Sequence, residues 1–252
     1  MKQSKQIVDK RRQEILHQVI EKGSIRVEDM VRNLNVSSLT IRRDFQYLED
    51  QGLIERFHGG AKIIEKKITK EDELLKERNR IAKYAATLVN DGDILFINTS
   101  RTALSMIRYI TAKAVTVITN NGNAINEPHS PEVTVILTGG ELRYVKGTMV
   151  GEFALDSVNK SWATKTFLGC SGLSSKVGMT TDILNEVKIN EAMFNRSHVK
   201  SYILADHTKI GKICSFVSCP ISMITDVITD QKADEKEINQ LTKQNIQVIK
   251  VP

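Results

Sequence analysis

Hydrophobic positions in the first sixty residues recur at helical spacing. From Gln6 to Glu21, Val8, Ile15, Leu16, Val19 and Ile20 fall three or four residues apart, and Gly23 ends the run. Val27, Met30, Val31 and Leu34 predict a second, shorter helix, and Asn35 to Ser37 a turn in which Ser37 caps a third. In that third helix Ile41, Phe45 and Leu48 fill one face. Steps of about 100° per residue put Leu39, Arg43, Gln46 and Asp50 on the opposite face, with Thr40, Arg42 and Tyr47 on the flanks. Gly52 stops the helix, and Leu53 to Ile64 reads as two short strands around Gly59 and Gly60, a wing.

The pattern then changes period. Glu65 to Arg80 is charged and poor in aromatics, and reads as a linker passing into a helix that runs on through Ile81, Tyr84, Ala85 and Leu88. Beyond it, β-rich runs begin near Ile94, Ala114, Val133, Lys165, Ser201, Asp226 and Ile246. Segments of helical spacing lie between most of them: Thr102 to Ile110, Asn185 to Arg196 and Ala233 to Lys243. Alternating strands and helices predict an α/β domain with a largely parallel sheet covered on both faces. The expected organisation is therefore a helical DNA-binding-sized module at 1–64, a linker and the start of a connecting helix at 65–80, and an α/β domain at 81–252.

Composition narrows the class. Of 252 residues 40% are apolar and 26% charged, and no apolar run approaches the ~20 residues of a membrane span. The charged N-terminal stretch lacks the apolar core of a secretory signal, so the expected compartment is the cytoplasm. Cys170, Cys214 and Cys219 form no CxxC pair and have no histidine at zinc-ligand spacing, which argues against disulfides and structural zinc; no metal or cofactor is expected. Half of the net charge of +6 falls in the first 64 residues. That bias permits an anionic partner, although a solvated surface has the same count.

Two helices joined by a tight turn, the second exposing Arg, Thr and Gln, suit the major groove of duplex DNA. A three-helix protein-interaction module is the alternative. In the larger domain the loops leaving the strands carry the polar chemistry, because ligands of parallel sheets bind at the strands' carboxyl ends. Asn98, Ser100, Arg101 and Thr102 follow the first strand, and Thr119 and Asn120 end the second. Gly140 and Arg143 follow the third, Ser171 and Gly172 the next, and Thr180, Thr181 and Lys209 lie in later loops. Walker A, GxGxxG and HExxH patterns are absent, and no nucleophilic triad is visible among the five histidines.

The segment Ile25 to Ala61 resembles the winged helix-turn-helix of DeoR-type bacterial transcription regulators. The resemblance rests on Ser37, Thr40, Ile41, Arg42, Arg43, Asp44 and Phe45, and on Arg56, His58, Gly59, Gly60 and Ala61 in the wing. It implies DNA contacts from Ser37, Ser38, Thr40, Arg42, Arg43, Gln46, Tyr47, Arg56 and His58, with Asp44 instead a structural partner of an arginine. It continues through Phe167 to Gly172, Gly178 to Thr181, Glu186 and Ala205 to Lys209. The second domain is thereby similar to ribose-5-phosphate isomerase-type sugar isomerases and is expected to sense a phosphorylated sugar. Thr102, Asn120 and Lys209 are the ligand contacts the resemblance implies, with Glu186 beside them. Two departures stand out: Arg101 occupies the first loop where the family has a small residue, and Leu173-Ser174 replaces an apolar residue followed by Asp. The second counts against an isomerase using Glu186 and Lys209 for acid–base work, which is the alternative function. The expectation is thus a regulator, a repressor of sugar-metabolism genes with operator DNA, a phosphosugar and a second copy of itself as partners.

Overall fold

The computed structural model describes residues 5–64 and 69–252; the first part of the expected linker, 65–68, lies outside them. The chain divides into two compact units, Met1–Ile68 and Thr69–Pro252. Residues 69–80, read from the sequence as linker and helix start, thus fall in the second unit.

In the first unit, α1 (Lys5–Lys22), β1 (Ser24–Arg26), α2 (Val27–Leu34) and α3 (Ser38–Asp50) lead into β2 (Ile54–Phe57) and β3 (Gly60–Ile63). The three strands form one antiparallel sheet in the order β1-β3-β2. β1 went unread because three residues carry too little pattern. Ile15, Val19, Met30, Ile41, Phe45, Leu48 and Ile54 close a core, each at most 3% exposed. Ile20, counted with the apolar stripe, instead faces outward at 58% exposure.

The second unit opens with α4 (Lys70–Ala86), started by a reciprocal capping box between Thr69 and Asp72. There follow β4 (Ile94–Ile97), α5 (Arg101–Ser105), β5 (Val115–Thr119), β6 (Val133–Leu137), β7 (Glu141–Arg143), β8 (Thr148–Val150) and α6 (Glu152–Asn159). Then come β9 (Ala163–Gly169), β10 (Gly172–Ser174), β11 (Gly178–Thr181), α7 (Leu184–Asn195), β12 (Ser197–Leu204), β13 (Phe216–Cys219), β14 (Asp226–Asp230), α8 (Glu235–Lys243) and β15 (Gln247–Val251). The helix expected from Thr102 to Ile110 stops as α5 at Ser105 and tightens into a 3-10 turn, Met106–Tyr109.

Seven strands build one all-parallel sheet in the order β15-β14-β12-β9-β4-β5-β6. Each of the seven β-rich runs supplies one of them. The β4 side of the sheet is wound outward first and the β12 side later, so the winding direction reverses between β4 and β9. Crevices open at such a reversal, at the strands' carboxyl ends. On one face Phe96, Leu168 and Ile203 pack under α6, α7 and α8; on the other Leu95, Ile97 and Phe167 pack under α4 and α5. Two small antiparallel sheets, β7-β8 and β10-β11-β13, stand apart from the main one.

Candidate DNA-binding surface and effector cavity

Ser37 caps α3: its Oγ accepts from the Thr40 backbone N–H at 3.2 Å. The cap fixes the start of a helix whose outer side exposes Ser38, Leu39, Arg42 and Arg43. Among the described residues neither Arg42 nor Arg43 has an acidic partner. Between α3 and the wing lies a cleft of about 490 Å³ that brings together Arg42, Arg56 and His58. The cleft keeps its form because the Glu49 carboxylate accepts from the Arg56 backbone N–H at 3.0 Å and pairs with its guanidinium at 3.1 Å.

Gln46 and Tyr47 are exposed, as expected, and also make contacts within the unit, while Asp44 has the structural role expected of it. Gln46 donates to Asp50 at 2.8 Å. Tyr47 lies under the Arg12 guanidinium, 3.6 Å from its ring centre, on the side of α3 that meets α1. Asp44 is 1% exposed and accepts from Arg11 at 2.6 Å and Arg12 at 2.9 Å. Its arginine partners come from α1, 33 and 32 positions upstream, where no local pattern announces them.

In the second unit a cavity of about 280 Å³ sits over the carboxyl ends of β4, β9 and β12. Of the expected ligand residues, Asn98, Ser100, Arg101, Thr102, Ser171, Thr181, Glu186 and Lys209 line it. Asn98 is fully buried and ties two strands together: its Nδ2 donates to the Gly169 carbonyl at 2.9 Å and to Asn190 at 3.0 Å, and its Oδ1 accepts from Gly169 N–H at 3.0 Å. Ser100 caps α5 through the Ala103 N–H. Glu186 receives the Thr99 hydroxyl at 2.8 Å on one oxygen and the Thr181 hydroxyl at 3.1 Å on the other. That fixes the carboxylate while leaving lone pairs for further donors.

The remaining expected ligand residues lie outside the cavity wall. Thr119 is buried and its hydroxyl accepts from the Asn121 N–H. Asn120 is buried with its amide donating to the Met149 carbonyl at 3.1 Å. Thr180 donates to the Gly172 carbonyl and accepts from the Cys214 N–H. Gly140 is needed for a close approach, since a Cβ there would meet the Val150 carbonyl at 2.5 Å. Arg143 is exposed and paired with Glu141. For Thr119, Asn120, Gly140 and Arg143 the reason is topological: β5 and β6 lie to one side of the reversal, and their loops turn toward the β7-β8 hairpin. Gly172, also outside the lining, is paired with Thr180 between β10 and β11, and Thr180 points to the opposite side of its strand from Thr181.

The cavity also contains residues the sequence did not single out. Arg78 reaches it from α4 and donates to Asp206 at 2.8 Å. Burial raises the Asp206 pKa, but hydrogen bonds from Thr208 and Arg78 and the nearby cations outweigh it, leaving the carboxyl below its usual value. Lys146 enters from the loop of the β7-β8 hairpin. Among the described residues Arg101, Lys146 and Lys209 form no close ion pair, although Lys209 is near enough to help lower the Asp206 pKa; with Arg78 the lining carries four cations against the carboxylates of Glu186 and Asp206. Burial pushes the Cys170 thiol in its wall up to about 12, so it stays protonated at neutral pH and is a wall rather than a nucleophile. Among the described residues no group of His, Cys, Asp or Glu could hold a metal ion, and no helix is long and apolar enough to cross a membrane.

A winged helix-turn-helix unit, joined to a parallel α/β unit with a cation-rich cavity at its winding reversal, defines a ligand-responsive DNA-binding regulator. The chain belongs to the DeoR family of transcriptional regulators. Residues 11–67 match the DeoR-like helix-turn-helix domain and residues 73–231 the DeoR C terminal sensor domain. The chain is 34% identical over 209 residues to a lactose phosphotransferase system repressor of Staphylococcus aureus, spanning 79% of this chain and 82% of that one. It is 28% identical over 214 residues to the HTH-type transcriptional regulator FruR of Bacillus subtilis, spanning 82% and 85%. Among solved structures, ribose 5-phosphate isomerase A of Methanocaldococcus jannaschii aligns with a TM-score of 0.38 and 14% identity, over 56% of this chain and 55% of the other. The relatives are named as regulators, and this chain carries both domains of a DeoR-family regulator.

Proposed function

We propose that the protein represses genes of sugar uptake or breakdown in the cytoplasm, and that a phosphorylated sugar in the cavity changes its affinity for operator DNA. Paired copies would hold the operator through Ser37, Ser38, Thr40, Arg42 and Arg43 of α3 and through Arg56 and His58 of the wing. One observation carries the effector assignment: Arg78, Arg101, Lys146 and Lys209 converge on a cavity whose carboxylates are only Glu186 and Asp206, an excess of positive charge. Cations favour a phosphate, whereas a fixed carboxylate accepts sugar hydroxyls. A volume of about 280 Å³ is at the small end of ligand sites and suits a monosaccharide phosphate better than a dinucleotide. The relatives' names, which include a lactose phosphotransferase system repressor, support the link to sugars.

The test is a gel-shift titration on DNA upstream of the protein's own and neighbouring genes, with a panel of sugar phosphates and the same sugars unphosphorylated. One phosphorylated sugar should move the midpoint about tenfold or more, a coupling of about 1.4 kcal/mol. Lys209→Ala should remove that response and keep ligand-free binding. Failure to retard any fragment at low salt, or equal effects of phosphorylated and free sugars, would sink the reading.

A further inference from the structure

We propose that a second copy of this chain docks on the face formed by the β7-β8 hairpin, α6 and the start of α7. This deepens the reading above, resting on its requirement for paired copies. Four large apolar side chains stand out into solvent within twelve residues: Leu142 at 57%, Tyr144 at 92%, Val145 at 96% and Phe153 at 81% exposure. Leu184, at the first turn of α7, adds a fifth at 61%. Scattered exposed hydrophobics are ordinary, but a concentration of this kind marks an interaction surface.

The same face also carries a receptor for such a projection. A cleft of about 530 Å³ opens between the hairpin, α6 and α7, floored by Val150, Leu155 and Ile189. Its rim holds two acids, Glu141 and Glu152, and two bases, Arg143 and Lys188. A rim with equal numbers of both signs does not repel a copy of itself brought up by rotation about a two-fold axis. It offers no excess charge to DNA or to an anionic membrane. An isologous dimer requires one patch to supply both the projecting group and the hollow that receives it. Tyr144 and Val145 at the hairpin tip are the projection, and the cleft is the hollow. Glu141 and Arg143 already pair within one chain at 3.1 Å, so the two-fold pairs each copy's Glu152 with its partner's Lys188.

Sedimentation of the full chain, without DNA or sugar phosphate, tests this. The parent should run as a dimer or a multiple of one at micromolar concentration. Tyr144→Ser, Val145→Ser and Phe153→Ser combined should raise the dimer dissociation constant about 30-fold or more. All three side chains lie largely in solvent, so the thermal melt of each unit followed by circular dichroism should persist. Lys188→Glu should weaken association, and adding Glu152→Lys should restore it. A monomeric parent, a triple variant that assembles like the parent, or a double charge reversal without recovery each overturns the proposal. So does association of the parent only with an unrelated protein. Because no metabolite or operator is present, the result stands apart from the sugar response; a dimer that ignores every sugar phosphate contradicts the function alone.

Discussion

Arg43 and Asp44 are adjacent in sequence and face opposite ways. Arg43 is exposed on α3 with no acidic partner among the described residues, whereas Asp44 is 1% exposed beneath two guanidinium groups. Arg43→Ala should weaken operator binding by about 1 to 3 kcal/mol, the range for a lost arginine–base contact, in filter-binding titrations. Unchanged affinity removes it from the reading surface. Asp44→Ala should act on stability instead, because it removes the buried carboxylate to which both Arg11 and Arg12 donate. The expected cost is about 3 kcal/mol, read from the first unit's transition in urea. A third residue-scale prediction concerns acid. Asp206 has a depressed pKa, so its stabilisation is complete above the usual carboxylate value and is lost as pH falls through the lower folded one. Arg78→Ala removes one depressing partner, so the folded value should rise and acid unfolding should begin at higher pH. An acid titration followed by fluorescence that shows no shift would contradict the role of this pair.

At the level of elements, the cavity depends on how closely β9 ends against the start of α5. A Cβ on Gly169 would fall 1.9 Å from the Ser100 hydroxyl, the group that caps α5. Gly169→Ala should therefore displace the loop Asn98 to Thr102, and isothermal titration should show sugar-phosphate affinity lost while operator binding persists. Wild-type affinity in this variant would mean that the loop does not shape the site. The seven sheet strands were legible because each carries a compact apolar run, largely buried in β4, β5, β9 and β14 and more open in β12, β15 and the edge strand β6. β7, β8, β10 and β11 were not, since runs such as Gly172–Ser174 and Gly178–Thr181 have no apolar alternation and are held by tertiary pairing. The site was legible in the same measure. Loops following β4, β9 and β12 announce themselves by Ser, Thr and Gly after a strand, so Arg101, Ser171 and Lys209 were found. Arg78 sits in a helix that reads as a connection, and Lys146 in a hairpin that reads as a loop. Asn120 had the right chemistry at the wrong strand and Thr180 on the opposite side of β11 from Thr181, because polarity reveals neither which strands adjoin nor which side of a strand faces the cavity.

Across the whole molecule, each unit has its own apolar core, with Phe45 and Ile41 in one and Phe96, Phe167 and Leu168 in the other. Calorimetry should therefore resolve two transitions. A saturating effector at about 100 times its dissociation constant should add about 2.7 kcal/mol to the second transition and leave the first in place. A single transition, or an effector that shifts only the helix-turn-helix unit, would contradict this division. The sheet that frames the cavity also separates what must stay from what can vary. Asn98, Gly169, the Thr99 hydroxyl that holds Glu186 and the strand ladder behind them are scaffold, while Arg101, Lys146 and Lys209 hang from its rim with few internal obligations. Randomising those three positions should yield variants that respond to other metabolites with the operator preference unaltered, which makes this chain a natural starting point for biosensors.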